Sequence, residues 1–148
     1  MAISVTSTAF KEGKMIPQKH TCDGTNVSPQ LAWTGIPASA RSIALICEDP
    51  DAPSGIFTHW VVFNMAPVTK GIPEGGGLPA GAREGTNDFK RLDFRGPCPP
   101  SGTHRYYFKV YAVDMMLTLR EGATRSDLLS ALQGHVIEQG QIMGTYKR

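Results

Sequence analysis

No stretch of this sequence is apolar for long enough to cross a bilayer. The runs SIALIC at 42–47 and WVVF at 60–63 fall far short of the about 20 residues a spanning helix needs. No charge of one sign dominates either: 15 Lys and Arg stand against 13 Asp and Glu, with the basic residues scattered along the chain. Nucleic acid calls for a dense basic face, so no nucleic-acid partner is expected. Cysteine is scarce. Cys22, Cys47 and Cys98 are odd in number and show neither CxxC nor zinc-ligand spacing. Reduced thiols in a cytoplasmic protein are the expectation, with a Cys22–Cys98 bridge left open. The opening residues MAISVT have no positive n-region and no continuous apolar h-region, and read as a first strand rather than an export signal. Disorder-like composition is missing too, since 41% of residues are hydrophobic and 19% charged.

What is present is punctuation. Sixteen Gly and 11 Pro fall in clusters between short apolar segments, which is the pattern of an all-β chain. A length of 148 residues suits one domain, 1–148, large enough to need no disulfide or metal staple. Strands are predicted at 3–7, 30–33, 42–48, 59–65, 91–94, 105–114 and 136–143. Gly140 and Gly144 disfavour a helix in the last of these. One helix is predicted, capped by Thr124 or Ser126, running through DLLSAL at 127–132 and ended by Gly134. The long connections at 11–29, 49–58, 66–81 and 96–103 are of a length usually reserved for function or disorder. Prolines stiffen 49–58 and 96–103, which favours function.

Those two stiff loops each lead into a strand that begins with histidine. DPDAP at 49–53 precedes His59, and GPCPPSGT at 96–103 precedes His104. If 42–48 and 59–65 pair antiparallel, Asp49 shares an edge with His59, where its carboxylate would orient the ring and favour the imidazolium. Period-two alternation puts His104 and Tyr106 on one face. For His104 to meet His59, both strands must run the same way, and the simplest sheet inserts 42–48 between them, antiparallel to both. Two imidazoles, a carboxylate and a proline wall would suit an oxyanion of moderate size, held by charge-assisted hydrogen bonds.

The ordered motifs resemble the phosphatidylethanolamine-binding protein family, in its microbial, Raf kinase inhibitor-like branch. They are CDGTNVSP at 22–29 with Leu31 and Trp33, DPDAP with HWV at 59–61, and GTND at 85–88. GPCPP at 96–100 follows with HRY at 104–106, then GH at 134–135 with MGTY at 143–146. The resemblance implies a mainly β fold, a large antiparallel sheet packed with a smaller one and few peripheral helices. It implies a small pocket for phosphate, acetate-like anions or a phosphorylated head group. By the same match, Asp49, His59 and His104 line that pocket, with Pro97 or Pro100 in its wall and Tyr106 at its rim. A homodimer is implied, and no metal or organic cofactor. The branch usually carries Gly where Lys90 stands and Tyr where Phe94 stands, which would remove a hydroxyl near the pocket mouth.

Two other functions fit the same residues. Some relatives inhibit a kinase or a serine protease through a protein interface, for which 75–81 and 96–103 are exposed candidates. An enzyme could use the two His and Asp49 as a facial metal triad or as an acid–base pair for phosphate-ester hydrolysis. No GxSxG or HExxH is present to support it, so a non-catalytic binding protein is the leading expectation. Elsewhere, Trp33, Trp60, Phe63, Phe108 and Tyr111 read as core or sheet packing. His20 reads as exposed, His135 as a cation at the helix end, and Asp51 as a cap of its own loop.

Overall fold

The structure is a computed structural model that describes residues 2–148. Its strands are β1 (Ser4–Thr6), β2 (Leu31–Thr34), β3 (Ser42–Asp49), β4 (Phe57–Met65), β5 (Gly71–Ile72), β6 (Arg83–Glu84), β7 (Thr103–Val113) and β8 (Val136–Lys147). Helix α1 covers Arg125–Leu132, and one 3-10 turn covers Gln18–His20. A three-stranded sheet runs β1-β2-β5 and a five-stranded sheet runs β6-β4-β3-β7-β8, all pairs antiparallel. This is the two-sheet, mainly β architecture expected from the sequence.

The centre of the large sheet is buried on both faces, which is why β3 and β4 read as continuous apolar runs. Alternation along β3 divides the two sides. Ile43, Leu45 and Cys47 face Leu31, Trp33 and Ile72 of the small sheet, whereas Ala44 and Ile46 face Leu117, Leu128 and Leu132 around α1. Glu48 therefore turns to the helix side, where it accepts from Lys109 and Arg125 and ties the helix start to the sheet. α1 begins where the sequence places it, with Thr124 and Asp127 forming a reciprocal capping box. Gly134 follows its end with a φ of +81°, in the left-handed region.

β8 runs the full distance to Lys147, and its glycines have a packing reason. A side chain at Gly140 would collide with the Ile3 carbonyl, and one at Gly144 with Ile16 and Phe10. The N-terminal segment lies across β8 at those two points, so close approach outweighs the low strand propensity of glycine.

The expected strand at 91–94 does not form; β6 pairs with β4 instead. Asn87 explains this. Its Oδ1 accepts from the Phe89 and Arg91 amides and its Nδ2 donates to the Asp93 and His59 carbonyls, so the segment closes into a loop around one side chain. Lys90 sits in that loop with a φ of +66°, a conformation that glycine adopts more readily. Phe94 is buried against Trp60 and Phe108 in the main core. It lies outside the lining of the candidate pocket, so the expected loss of a hydroxyl at the pocket mouth is corrected.

Candidate pocket at the end of the large sheet

Because β3 lies between β4 and β7 and is antiparallel to both, the C-terminal end of β3 meets the N-terminal ends of the other two. That is the geometric condition the sequence argument required. Asp49, His59 and His104 gather at this end around one cavity of about 240 Å³. This is below the roughly 300–1,000 Å³ of pockets that enclose drug-sized ligands, so the occupant is small or only partly enclosed.

The pairing of charges differs from the expectation. Between Cys47↔Trp60 and Glu48↔Thr58 the register slips by one residue, leaving His59 as the extra residue of a bulge. A bulge re-aims a side chain, and here it removes His59 from the reach that simple antiparallel pairing gives Asp49. The His59 Nδ1–H donates instead to the Arg95 carbonyl, at 2.6 Å. On the other side of β3 the register is regular. One step beyond Glu48↔Tyr107 it sets Asp49 opposite Tyr106 and diagonal to His104, within reach across a sheet. Asp49 Oδ2 accepts from His104 Nδ1 at 2.6 Å, and Oδ1 accepts from the Asp51 amide at 2.7 Å. Asp49 thus orients His104, not His59.

All three side chains are buried, with exposures of 3% for Asp49 and His59 and 7% for His104. Burial pushes the His59 imidazole below its ordinary range, against the opposing pull of the Arg95 and Gly96 carbonyls and the Asp49 and Asp88 carboxylates. The imidazolium expected for this ring is therefore disfavoured. The sign for stability follows. Below about pH 6.5 the unfolded chain protonates this histidine, whereas the folded chain does so only at lower pH. Stability attributable to His59 is then intact above pH 6.5 and lost as pH falls, with a slope of at most about 1.4 kcal/mol per pH unit. Urea unfolding of wild type and His59→Phe at pH 7.5 and 5.5 should show a smaller pH loss in the variant; equal losses would contradict this.

Tyr106 is not at the rim but on the floor, 1% exposed and part of the main core. Its ring lies between the two imidazoles, edge-on to His59 at 5.3 Å and stacked with His104 at 6.4 Å. Burial first and the negative Asp49 second push its phenol well above the usual tyrosine range, so it stays a hydrogen-bond donor. Phe57 and Phe89 close the side next to His59, at 5.2 and 5.5 Å from its ring. Neither was identified from the sequence. Phe57 lies two residues before His59 and could have been suspected, whereas Phe89 arrives only through the Asn87-centred loop.

The walls are held from behind. Pro99 and Pro100 line the cavity together with Cys98, but Pro97 does not. Pro97 points its carbonyl to the Cys22 amide, a correction to its expected place in the wall. Cys98 is bonded to Cys22 with a Cα separation of 5.4 Å, so the expectation of three reduced thiols is corrected as well. Cys47 is the free thiol among the described residues; burial pushes its pKa up and keeps it inert. Gly96 donates to Asn26 Oδ1, and a side chain there would collide with the His20 carbonyl. The opposite wall, with Ala52 and Pro53, is fixed by Asp51. The loop cap expected of Asp51 is supplied instead by Asp49, which accepts from the Asp51 amide. The Asp51 carboxylate takes both the amide and the guanidinium of Arg105, which holds it down at about 2.

The remaining histidines stand apart from the cavity. His20, expected to be exposed, is fully buried and donates to the Val27 carbonyl. His135 pairs with Asp114, and its amide caps the Leu132 carbonyl at the end of α1. Among the described residues no group of three or more His, Cys, Asp or Glu is spaced to hold a metal ion. No helix among them is long and apolar enough to cross a membrane.

The family profile described as phosphatidylethanolamine-binding protein matches residues 6–147. A UPF0098 protein of Methanothermobacter thermautotrophicus is 50% identical over 144 residues, covering 95% of each chain. Another, from Pyrococcus horikoshii, is 44% identical over 155 residues and aligns with 100% of this chain and 78% of its own. Among solved structures, a phosphatidylethanolamine-binding protein homolog from Chlamydia trachomatis superposes with a TM-score of 0.94 at 41% identity, covering 99% of this chain and 98% of that one. YbcL of E. coli, described as a new member of the mammalian family, superposes with a TM-score of 0.94 at 32% identity over 100% and 99%. The chain belongs to the phosphatidylethanolamine-binding protein family, and its microbial relatives agree with the microbial branch.

Proposed function

We propose that this protein is a non-catalytic binding protein whose pocket holds a phosphate-like oxyanion, free or as the head group of a small phosphorylated ligand. One observation carries the reading. Both imidazoles commit Nδ1 to a protein acceptor, Arg95 for His59 and Asp49 for His104, so Nε2 of each ring is the nitrogen left for the shared cavity. Neither Nε2 is among the sealed, unpartnered polar atoms of the described residues. A pair of ring nitrogens above a tyrosine floor can grip an oxyanion from two sides.

Binding without turnover is favoured because each ring is hydrogen-bonded to a carbonyl or carboxylate rather than to a hydroxyl or thiol it could activate. The one cysteine in the lining is bonded to its partner. Titration with inorganic phosphate or phosphoethanolamine, followed by imidazole nitrogen NMR, should shift His59 and His104 together. A response confined to His135 or to no ring would end the reading. Two further expectations accompany it, a homodimer and residence in the cytoplasm. The Cys22–Cys98 bridge weighs against the second, because most cytosolic thiols are kept reduced.

A further inference from the structure

The cavity that would receive an anion contains no fixed positive charge. Among the described residues lining it there is no Lys or Arg, whereas Asp49 contributes a carboxylate. The guanidiniums next to the wall are already paired, Arg105 with Asp51 and Arg148, which reaches Cys98 Sγ from behind, with Asp23. Compensation for an entering anion must therefore come from protons on the imidazoles.

Hydrogen-bond geometry limits where those protons can go. A carbonyl and a carboxylate only accept, so Nδ1–H is fixed on both rings by Arg95 and Asp49. A neutral ring in that tautomer presents the bare lone pair of Nε2 to the cavity, which repels an anion. Only the imidazolium offers a donor there. For His104 the facing groups are Asp49 on β3, Tyr106 on β7, the more remote Asp51 carboxylate paired with Arg105 and, across the β7–β8 register, Tyr146, whose hydroxyl is bonded to Asp23. Asp49 therefore fixes the orientation of the His104 ring. For His59 the facing groups are Tyr106, Phe57 and Phe89, the Arg95 and Gly96 carbonyls, and the more remote carboxylates of Asp49 and Asp88. Burial among aromatics lowers this ring's affinity for a proton.

Building on the oxyanion reading, we propose that ligand and proton enter together: an anion binds with net transfer of one proton to Nε2 of His59, taken from water or from the ligand's own acid form. The ligand class this favours is a phosphate monoester or hydrogen phosphate, which brings an exchangeable proton of its own. A permanently ionised sulfate must draw that proton from solvent and binds progressively less well as the solution becomes basic.

Isothermal titration of the wild-type chain with sodium sulfate and with inorganic phosphate, at pH 6, 7 and 8 in two buffers of different ionisation enthalpy, tests this. Sulfate binding at pH 8 should take up about one proton per anion, and its affinity should fall about tenfold per pH unit above pH 7. His59→Gln, whose amide is a donor at every pH, should bind sulfate with a flatter pH profile. Sulfate binding that is independent of pH, with no buffer-dependent heat, would overturn the coupling and leave the oxyanion site standing. No binding of either anion at any pH would instead sink the oxyanion site itself.

Discussion

Replacing Cys98 with serine should lower the stability of this protein by about 4.5 kcal/mol, the chain-entropy value for a bridge closing a 76-residue separation. In a domain of this length that corresponds to roughly 14 °C in melting temperature. The bridge fastens the segment after the 3-10 turn to the proline wall of the pocket, next to the Cys22 amide bond to Pro97. Loss of the bridge should therefore loosen the wall as well as the fold. Urea unfolding of wild type with dithiothreitol should reproduce the loss, and dithiothreitol should leave Cys98→Ser unmoved. Denatured wild type without reductant should titrate as one thiol, that of Cys47. Three reactive thiols, or a midpoint indifferent to reductant, would contradict the bridge.

The second large effect belongs to Asp49. Its carboxylate is 3% exposed and satisfies two donors, His104 Nδ1 and the Asp51 amide. Asp49→Ala leaves both without an acceptor inside the protein. Breaking a buried pair in this way costs about 3 kcal/mol, and an unanchored His104 no longer presents Nε2 to the cavity. Phosphate affinity should fall on the order of tenfold, the worth of one charge-assisted hydrogen bond. Asp49→Asn keeps the size and one acceptor, so it should restore much of the stability while leaving affinity reduced at neutral pH. Wild-type midpoint and wild-type affinity in Asp49→Ala would remove Asp49 from the account.

Much of the frame was legible in the sequence because it rests on alternation and turn chemistry. The apolar runs at 42–48 and 59–65, the histidine just before the strand expected at 105–114 and the TRSD start of α1 all led to elements found close to their expected places. The requirement that β3 separate β4 from β7 followed from wanting two histidines at one edge, and the topology meets it.

What the sequence did not disclose has a common cause: single-residue departures from regular geometry. One extra residue at His59 moves the carboxylate partnership to His104, and no periodicity announces a bulge. Asn87 gathers four backbone bonds around itself and turns an expected strand into the loop that delivers Phe89. In the wall a choice among neighbouring prolines is a choice of φ and ψ that spacing does not encode: of the two expected, Pro100 lines the cavity and Pro97 does not, and Pro99 joins it. His20 sits among Lys19 and polar neighbours yet is fully buried, because its ring bonds across the loop to Val27.

Crystals grown in sulfate or phosphate examine the pocket most directly. The geometry calls for tetrahedral density over the Tyr106 ring, with one oxygen about 2.8 Å from each Nε2 of His59 and His104. A cavity holding only water under those conditions, or an anion bound elsewhere with both nitrogens turned away from it, would contradict the shared role of these two rings.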